Sequence, residues 1–255
     1  MKIFLVDLES VPTRYTCEWK WHVPALLRDN GFEVEVIEGD LDIPTAVTPG
    51  AFLNFGGTNM YKATQTHRLA ELFTRGEIKA GDQIVFTDAW HPGIINVKYM
   101  SELLNIPVVT HGLWHAGSYD PNDFLGRLVG DKPWIRHAEQ AFIGAFDHNW
   151  LATAAHFDLM RQTYDIYLNP TFDRTGWPME YTESMIAPFS QSSQTSTLYR
   201  DGNSSNNHSP IISQDIDPNS NTLVTSLLNA TRNAFCILRF KRINSSSRSV
   251  CVTDA

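Results

Sequence analysis

Residues 81–110 read Gly81-Asp-Gln-Ile-Val-Phe-Thr-Asp88-Ala-Trp-His-Pro-Gly93, then Ile94-Ile-Asn-Val-Lys-Tyr-Met-Ser-Glu-Leu-Leu104, then Asn105-Ile-Pro-Val-Val-Thr110. An apolar run of strand length, 83–87, gives way to a loop at 88–93. A stretch with helical spacing of apolar side chains follows over 94–104, and a second apolar run over 106–110. Two short apolar runs joined by a helix predict a parallel βαβ crossover. Strands in such a unit are covered on both faces and lose the polar alternation of a half-exposed strand.

The same alternation extends both ways from this unit. Upstream, Lys2 to Asp7 is an apolar run ending in an acid, and a helix follows over 15–30, stopped by Asn30-Gly31. Pro24 inside that helix makes a break or a late start conceivable. Phe32 to Ile37 alternates apolar and acidic residues, as a strand near a sheet edge would. Phe52 to Phe55 reads as a third strand, Gly56-Gly57 as a tight glycine turn, and 64–74 as a helix. Downstream, a long polar and aromatic loop occupies 111–131. A helix over 133–146 has Pro133 in its first turn, and a short strand at 149–152 and a helix at 154–164 complete the series. The expected fold is a three-layer α/β, Rossmann-like domain with a mainly parallel sheet over residues 1–183. In such sheets ligands meet the loops after the carboxyl ends of strands. Here those are 7–14, 88–93 and 111–119.

Composition narrows the possibilities. Hydrophobic residues make up 42% of the 255-residue chain, enough for a core, and no run reaches the ~20 apolar residues of a membrane helix. Ile3 to Val6 is too short an apolar run for a secretory leader. The three cysteines, Cys17, Cys236 and Cys251, lack metal spacing and are odd in number, which suits a reducing cytoplasm. A net charge of −8 gives no support to a generic nucleic-acid binder. The charge is uneven: 24 of the 28 acids but only 14 of the 20 bases precede residue 184. Glu183 is the last Glu. Beyond it come Ser190-Gln-Ser-Ser-Gln-Thr-Ser and Asn203-Ser-Ser-Asn-Asn, polar stretches that cannot bury enough surface to offset their ordering entropy. Residues 184–255 are therefore expected to form a low-complexity, poorly ordered tail.

Asp88 is the sharpest candidate for chemistry. It ends a central strand beside Trp90, and reduced hydration there would raise its pKa toward that of a general base. The same position also suits a helix cap or a bond to its own loop. Trp90, His91, His111, Trp114 and His115 share the expected rim and are candidates to contact a ligand. Stacking would fall to the tryptophans and hydrogen bonding to the histidines. The four-residue spacing of His111 and His115 would suit a metal on a helix, but Gly112 and the preceding strand argue against a helix. No carboxylate or Cys completes a ligand set, so no metal site is expected. The first strand is not followed by G-x-G-x-x-G, which disfavours a nicotinamide or flavin enzyme. No Walker A motif and no G-x-S-x-G elbow occur.

Met1 to Ile37, with its second strand marked by Asn30-Gly-Phe-Glu-Val-Glu-Val, resembles the opening of glycosyltransferases built from two facing Rossmann-like domains (the GT-B architecture). Arg174-Thr-Gly-Trp-Pro-Met-Glu-Tyr181 resembles the segment where such chains cross to the second domain. Within that architecture the chain is most similar to bacteriophage DNA glucosyltransferases. Asn54-Phe-Gly56-Gly57 looks like a glycine turn of their acceptor domain, and Phe86-Thr-Asp88 like the strand end bearing their catalytic aspartate. The resemblance implies transfer of a hexose or pentose from a nucleotide sugar to an acceptor hydroxyl, such as that of a hydroxymethylated DNA base. Asp88 would be the base and Gly56 and Gly57 would lie at the acceptor. A nucleotide sugar is the implied partner, without a further cofactor or a membrane.

In that family the second domain holds the diphosphate at a helix N-terminus with basic side chains. Beyond Glu183 no glycine loop opening a helix is found, and no acidic pair for a ribose. The expectation is a donor domain lost or replaced, by truncation or a shifted reading frame. The alternative from a different class is a catalytically silent acceptor domain that acts as a binding module.

Overall fold

The computed structural model describes residues 1–176, apart from 12, 13, 41, 43, 45, 52, 116 and 165–170. The expected tail at 184–255, and the end of the 174–181 segment, lie outside the described residues. The chain runs β1 (Lys2–Val6), α1 (Tyr15–Asp29), β2 (Glu33–Ile37), α2 (Phe55–Arg75), β3 (Gln83–Phe86), α3 (Gly93–Leu103), β4 (Val109–Trp114), α4 (Phe124–Leu128), α5 (Pro133–Ala145), β5 (His148–Leu151), α6 (Ala154–Thr163) and β6 (Thr171–Arg174). All six strands are parallel, in the order β2-β1-β3-β4-β5-β6. The acidic-alternating strand β2 is at the edge, as its sequence predicts.

Strand periodicity sorts the core into two layers. Ile3 and Leu5 of β1, Val85 of β3 and Leu113 of β4 face Trp19, Val23 and Leu27 of α1. Phe4, Val6, Ile84, Phe86 and Trp114 point the other way, toward Leu69 and Phe73 of α2, Ile94 and Val97 of α3, and Phe142 and Ile143 of α5. The result is a three-layer α/β sandwich. Full burial of each such side chain stabilises the fold by about 1.5–3 kcal/mol. Helix α1 runs unbroken through Pro24, which is buried, and ends at Gly31, where a φ of +84° suits glycine. Among the described residues no helix is long and apolar enough to cross a membrane.

The structure adds a strand, β6, that the sequence reading did not contain, and differs from it elsewhere too. Of the strand expected over 52–55, the described residues Leu53 to Phe55 do not form a strand before a glycine turn. Asn54 caps α2, its side chain accepting from Gly57 N at 2.8 Å, so Gly56 and Gly57 form the helix's first turn. A Cβ at Gly57 would lie 2.7 Å from Pro44 O, so glycine allows the preceding loop to cross the helix start closely. Strand β4 begins later than residue 106. Ser101 Oγ donates to Ile106 O at 2.9 Å and accepts from Val108 N at 3.3 Å, which holds 106–108 as a connector. The strand continues through His111 to Trp114, and part of the expected loop becomes helix α4, capped by Asp123.

Candidate functional site

The chain leaves β1 toward one edge of the sheet and leaves β3 toward the other. The ends of β1 and β3 therefore diverge into a crevice, the place where open parallel sheets bind ligands. A cavity of about 520 Å³ occupies it. Asp7 and Glu9 enter from β1, Asp88, Trp90 and His91 from β3, and His115 from β4. The N-terminal turns of α1 and α2 bring Arg14, Tyr15, Phe55, Thr58, Tyr61 and Lys62, and α4 adds Phe124. Five aromatic rings, Tyr15, Phe55, Tyr61, Trp90 and Phe124, share the walls with aliphatic side chains and six charged groups.

Asp88 stands two residues beyond Phe86, the last paired position of β3, and is partly exposed. Lys62 Nζ donates to its Oδ2 at 2.7 Å and to Trp90 O at 2.6 Å, while Trp90 N donates to Asp88 Oδ1 at 3.0 Å. Burial pushes this carboxyl up, but Lys62, His115 and the two hydrogen bonds outweigh it and bring the pKa down to about 2. The raised pKa expected from the neighbouring tryptophan is therefore absent. The amide of that same residue, with the lysine, stabilises the charge instead. Asp88 also closes its own loop, as the structural alternative foresaw.

The raised carboxyl is Asp7, at the end of β1. Its Oδ1 accepts from Tyr61 OH at 2.7 Å and from Gln65 Nε2 at 2.9 Å, and Lys20 Nζ lies 3.6 Å from Oδ2. Burial dominates over these favourable contacts and lifts the pKa to about 6. Burial also raises the pKa of the Tyr61 phenol, with further help from Asp7. Gln65 bridges the two strand ends. It donates to Asp7 and to Ile37 O, and its Oε1 accepts from His91 Nε2 at 3.1 Å.

The histidine tautomers follow from their partners. His91 Nδ1 accepts from Gly93 N at 3.0 Å, so Nε2 carries the proton, and burial lowers the pKa to about 3. His115 Nε2 donates to Thr87 O, leaving Nδ1 to accept from Tyr15 OH at 2.7 Å. Burial lowers its pKa as well. Both rings are neutral at pH 7 and hold loops in place.

Of the residues expected at the rim, Asp88, Trp90, His91 and His115 come together around the cavity. Trp90 is fixed by its Nε1, which donates to buried Glu139 at 2.8 Å. Ser118 and Tyr164 donate to the same carboxylate. His111 and Trp114 are corrected, because β4 continues beside β5 as far as Trp114 and holds them inside the sheet. His111 Nε2 donates to Gln83 Oε1 at 2.9 Å, and the ring stacks on His148 at 4.7 Å. Trp114 packs into the opposite layer, its Nε1 donating to Asn149 Oδ1 at 2.8 Å. Gly56 and Gly57 build the helix start and are not part of the cavity wall.

Sequence reading did not single out Asp7, Glu9, Tyr61, Lys62 or Gln65. Asp7 carried the same signal as Asp88, a carboxylate ending an apolar strand. Gln65 carried a second one, a polar residue in the buried stripe Tyr61, Gln65, Leu69 and Phe73. Among the described residues, no group of three His, Cys, Asp or Glu is placed to hold a metal ion. No protein family matches the chain, and no curated protein matches it in sequence.

Proposed function

We propose that the cavity binds a hydroxylated, glycoside-like molecule and serves as the acceptor side of a glycosyl transfer. The observation that carries this reading is the carboxylate of Asp88, paired with Lys62 and facing a cavity with five aromatic rings in its wall at the switch point. In the reaction the acceptor oxygen forms a bond to the anomeric carbon of a nucleotide sugar. The bond from that carbon to the diphosphate breaks, and its electron pair leaves with the nucleoside diphosphate. The hydroxyl proton passes to Asp88. A carboxylate with a pKa of about 2 takes that proton only once the new carbon–oxygen bond has made it strongly acidic, so proton transfer is late.

Within this reading a small acceptor is favoured over modified DNA. Asp7, Glu9, Asp88 and Asp123 outnumber Arg14 and Lys62 around the cavity, the reverse of what phosphates need. The donor would be held by parts beyond the described residues or by another chain. The test is release of nucleoside diphosphate from a panel of nucleotide sugars by the full chain, with simple glycosides as acceptors. Asp88→Asn is expected to slow release by about a hundredfold or more. Sugar binding without turnover for any donor would favour the second reading, a binding module. The clamp of Lys62 on Asp88 is what supports that second reading, because it suits accepting a hydrogen bond better than taking a proton.

A further inference from the structure

Four carboxylates line the cavity, and three have their own partners. Asp88 is held by Lys62 at 2.7 Å, and Asp7 accepts at Oδ1 from Tyr61 and Gln65 while its Oδ2, with no hydrogen-bond donor among the described residues, has Lys20 at 3.6 Å. Asp123 caps α4 through Leu125 N at 3.0 Å. Glu9 differs. Its Oε1 accepts one bond, from Thr58 Oγ1 at 2.6 Å, and its buried Oε2 has no hydrogen-bond partner among the described residues. A buried carboxylate oxygen without a donor is costly, and a bound ligand that supplies one recovers that cost. The surrounding rings favour a cation in particular. Tyr15, Phe55, Trp90 and Phe124 line the same cavity, with Phe55 and Phe124 stacked at 6.1 Å between centroids.

We propose that the ligand of this cavity carries a protonated amine besides its hydroxyls, an amino sugar or amino glycoside, and that Glu9 receives the ammonium. The assignment rests on the reading of the cavity as a glycoside site and adds the charge of its occupant. Asp88 then meets a hydroxyl and Glu9 the amine, so one ligand is oriented by two carboxylates of different availability. The chain's net charge of −8 draws such a cation in.

The test compares two probes on the full chain by titration calorimetry at pH about 6.5, where the amine is protonated. The probes are phenyl 2-amino-2-deoxyglucoside and phenyl glucoside. The amino glycoside is expected to bind about tenfold more tightly. Added salt is expected to shrink that ratio, as is Glu9→Gln, whereas the surface variant Glu71→Gln keeps it. Binding of the neutral glycoside reports that each variant is folded. Equal affinities in the natural chain, or a ratio that Glu9→Gln leaves unchanged, would overturn the assignment of an amine to Glu9 while leaving the sugar site standing. Binding of neither glycoside would overturn both.

Discussion

Asp7 and Asp88 sit at the ends of neighbouring parallel strands, line one cavity and are pushed in opposite directions. Asp7 follows β1 directly and lies level with Thr87, whose N and Oγ1 both donate to Val6 O. It is buried, its carboxyl bonds come from neutral donors, and its lysine stands 3.6 Å away. Asp88 lies one residue farther out, partly open to solvent, with its lysine in direct contact. The contact with Lys62, helped by His115 and the Trp90 amide, thus separates a carboxyl near 2 from one near 6. Residue type and strand-end position do not set acidity at such a site. Burial raises both carboxyls, and the nearest cation decides which of them stays low.

The largest effect expected from breaking this contrast comes at Lys62. Lys62→Met leaves Asp88 buried without its cation, which is expected to cost about 2–3 kcal/mol of stability at pH 7 by urea unfolding and to move Asp88 above the ordinary carboxylate range. Asp7→Asn is expected to act with the opposite sign. The pKa of Asp7 in the folded chain lies above its unfolded value of 3.8. Its stability contribution is therefore full below that value and is lost as pH rises toward 6. The neutral amide should remove this loss and make the variant more stable than the natural chain by about 1–2 kcal/mol above pH 6, with the advantage gone near pH 4. Asp88 runs the other way, since its folded pKa is depressed. Its contribution is present above 3.8 and is lost as pH falls toward 2, so Asp88→Asn should flatten the acid limb of the stability curve. The smallest effect is expected at the cavity wall. Trp90→Phe removes one of the donors to Glu139 and should cost about 1 kcal/mol, read as a lowered melting temperature.

The βαβ unit at 81–110 was legible because apolar runs of strand length and helical spacing differ in period, and the edge position of β2 showed in its acidic alternation. What misled was local. A short apolar run such as Phe52 to Phe55 suits a strand as well as the approach to a capped helix, and the Asn54 cap decides between them only once the 40s loop lies across Gly57. The late start of β4 goes with the bonds of Ser101 to Ile106 O and Val108 N, and its extension to Trp114 goes with pairing to β5, neither of which shows in hydrophobic pattern. The extension put His111 and Trp114 in the sheet and not on the presumed rim. Asp88 was found because strand ends are readable. Lys62, which sets its charge, was not, because a lysine on an otherwise ordinary helix carries no signal of where its long side chain reaches.

The most direct test follows the side-chain carboxyl carbons of Asp7 and Asp88 by NMR through an acid titration of the full chain, with Asp7→Asn and Asp88→Asn assigning the two signals. The account predicts that Asp7 titrates near 6 while Asp88 stays ionised down to about 2. Two carboxyls titrating together near 4, or in the reverse order, would contradict it.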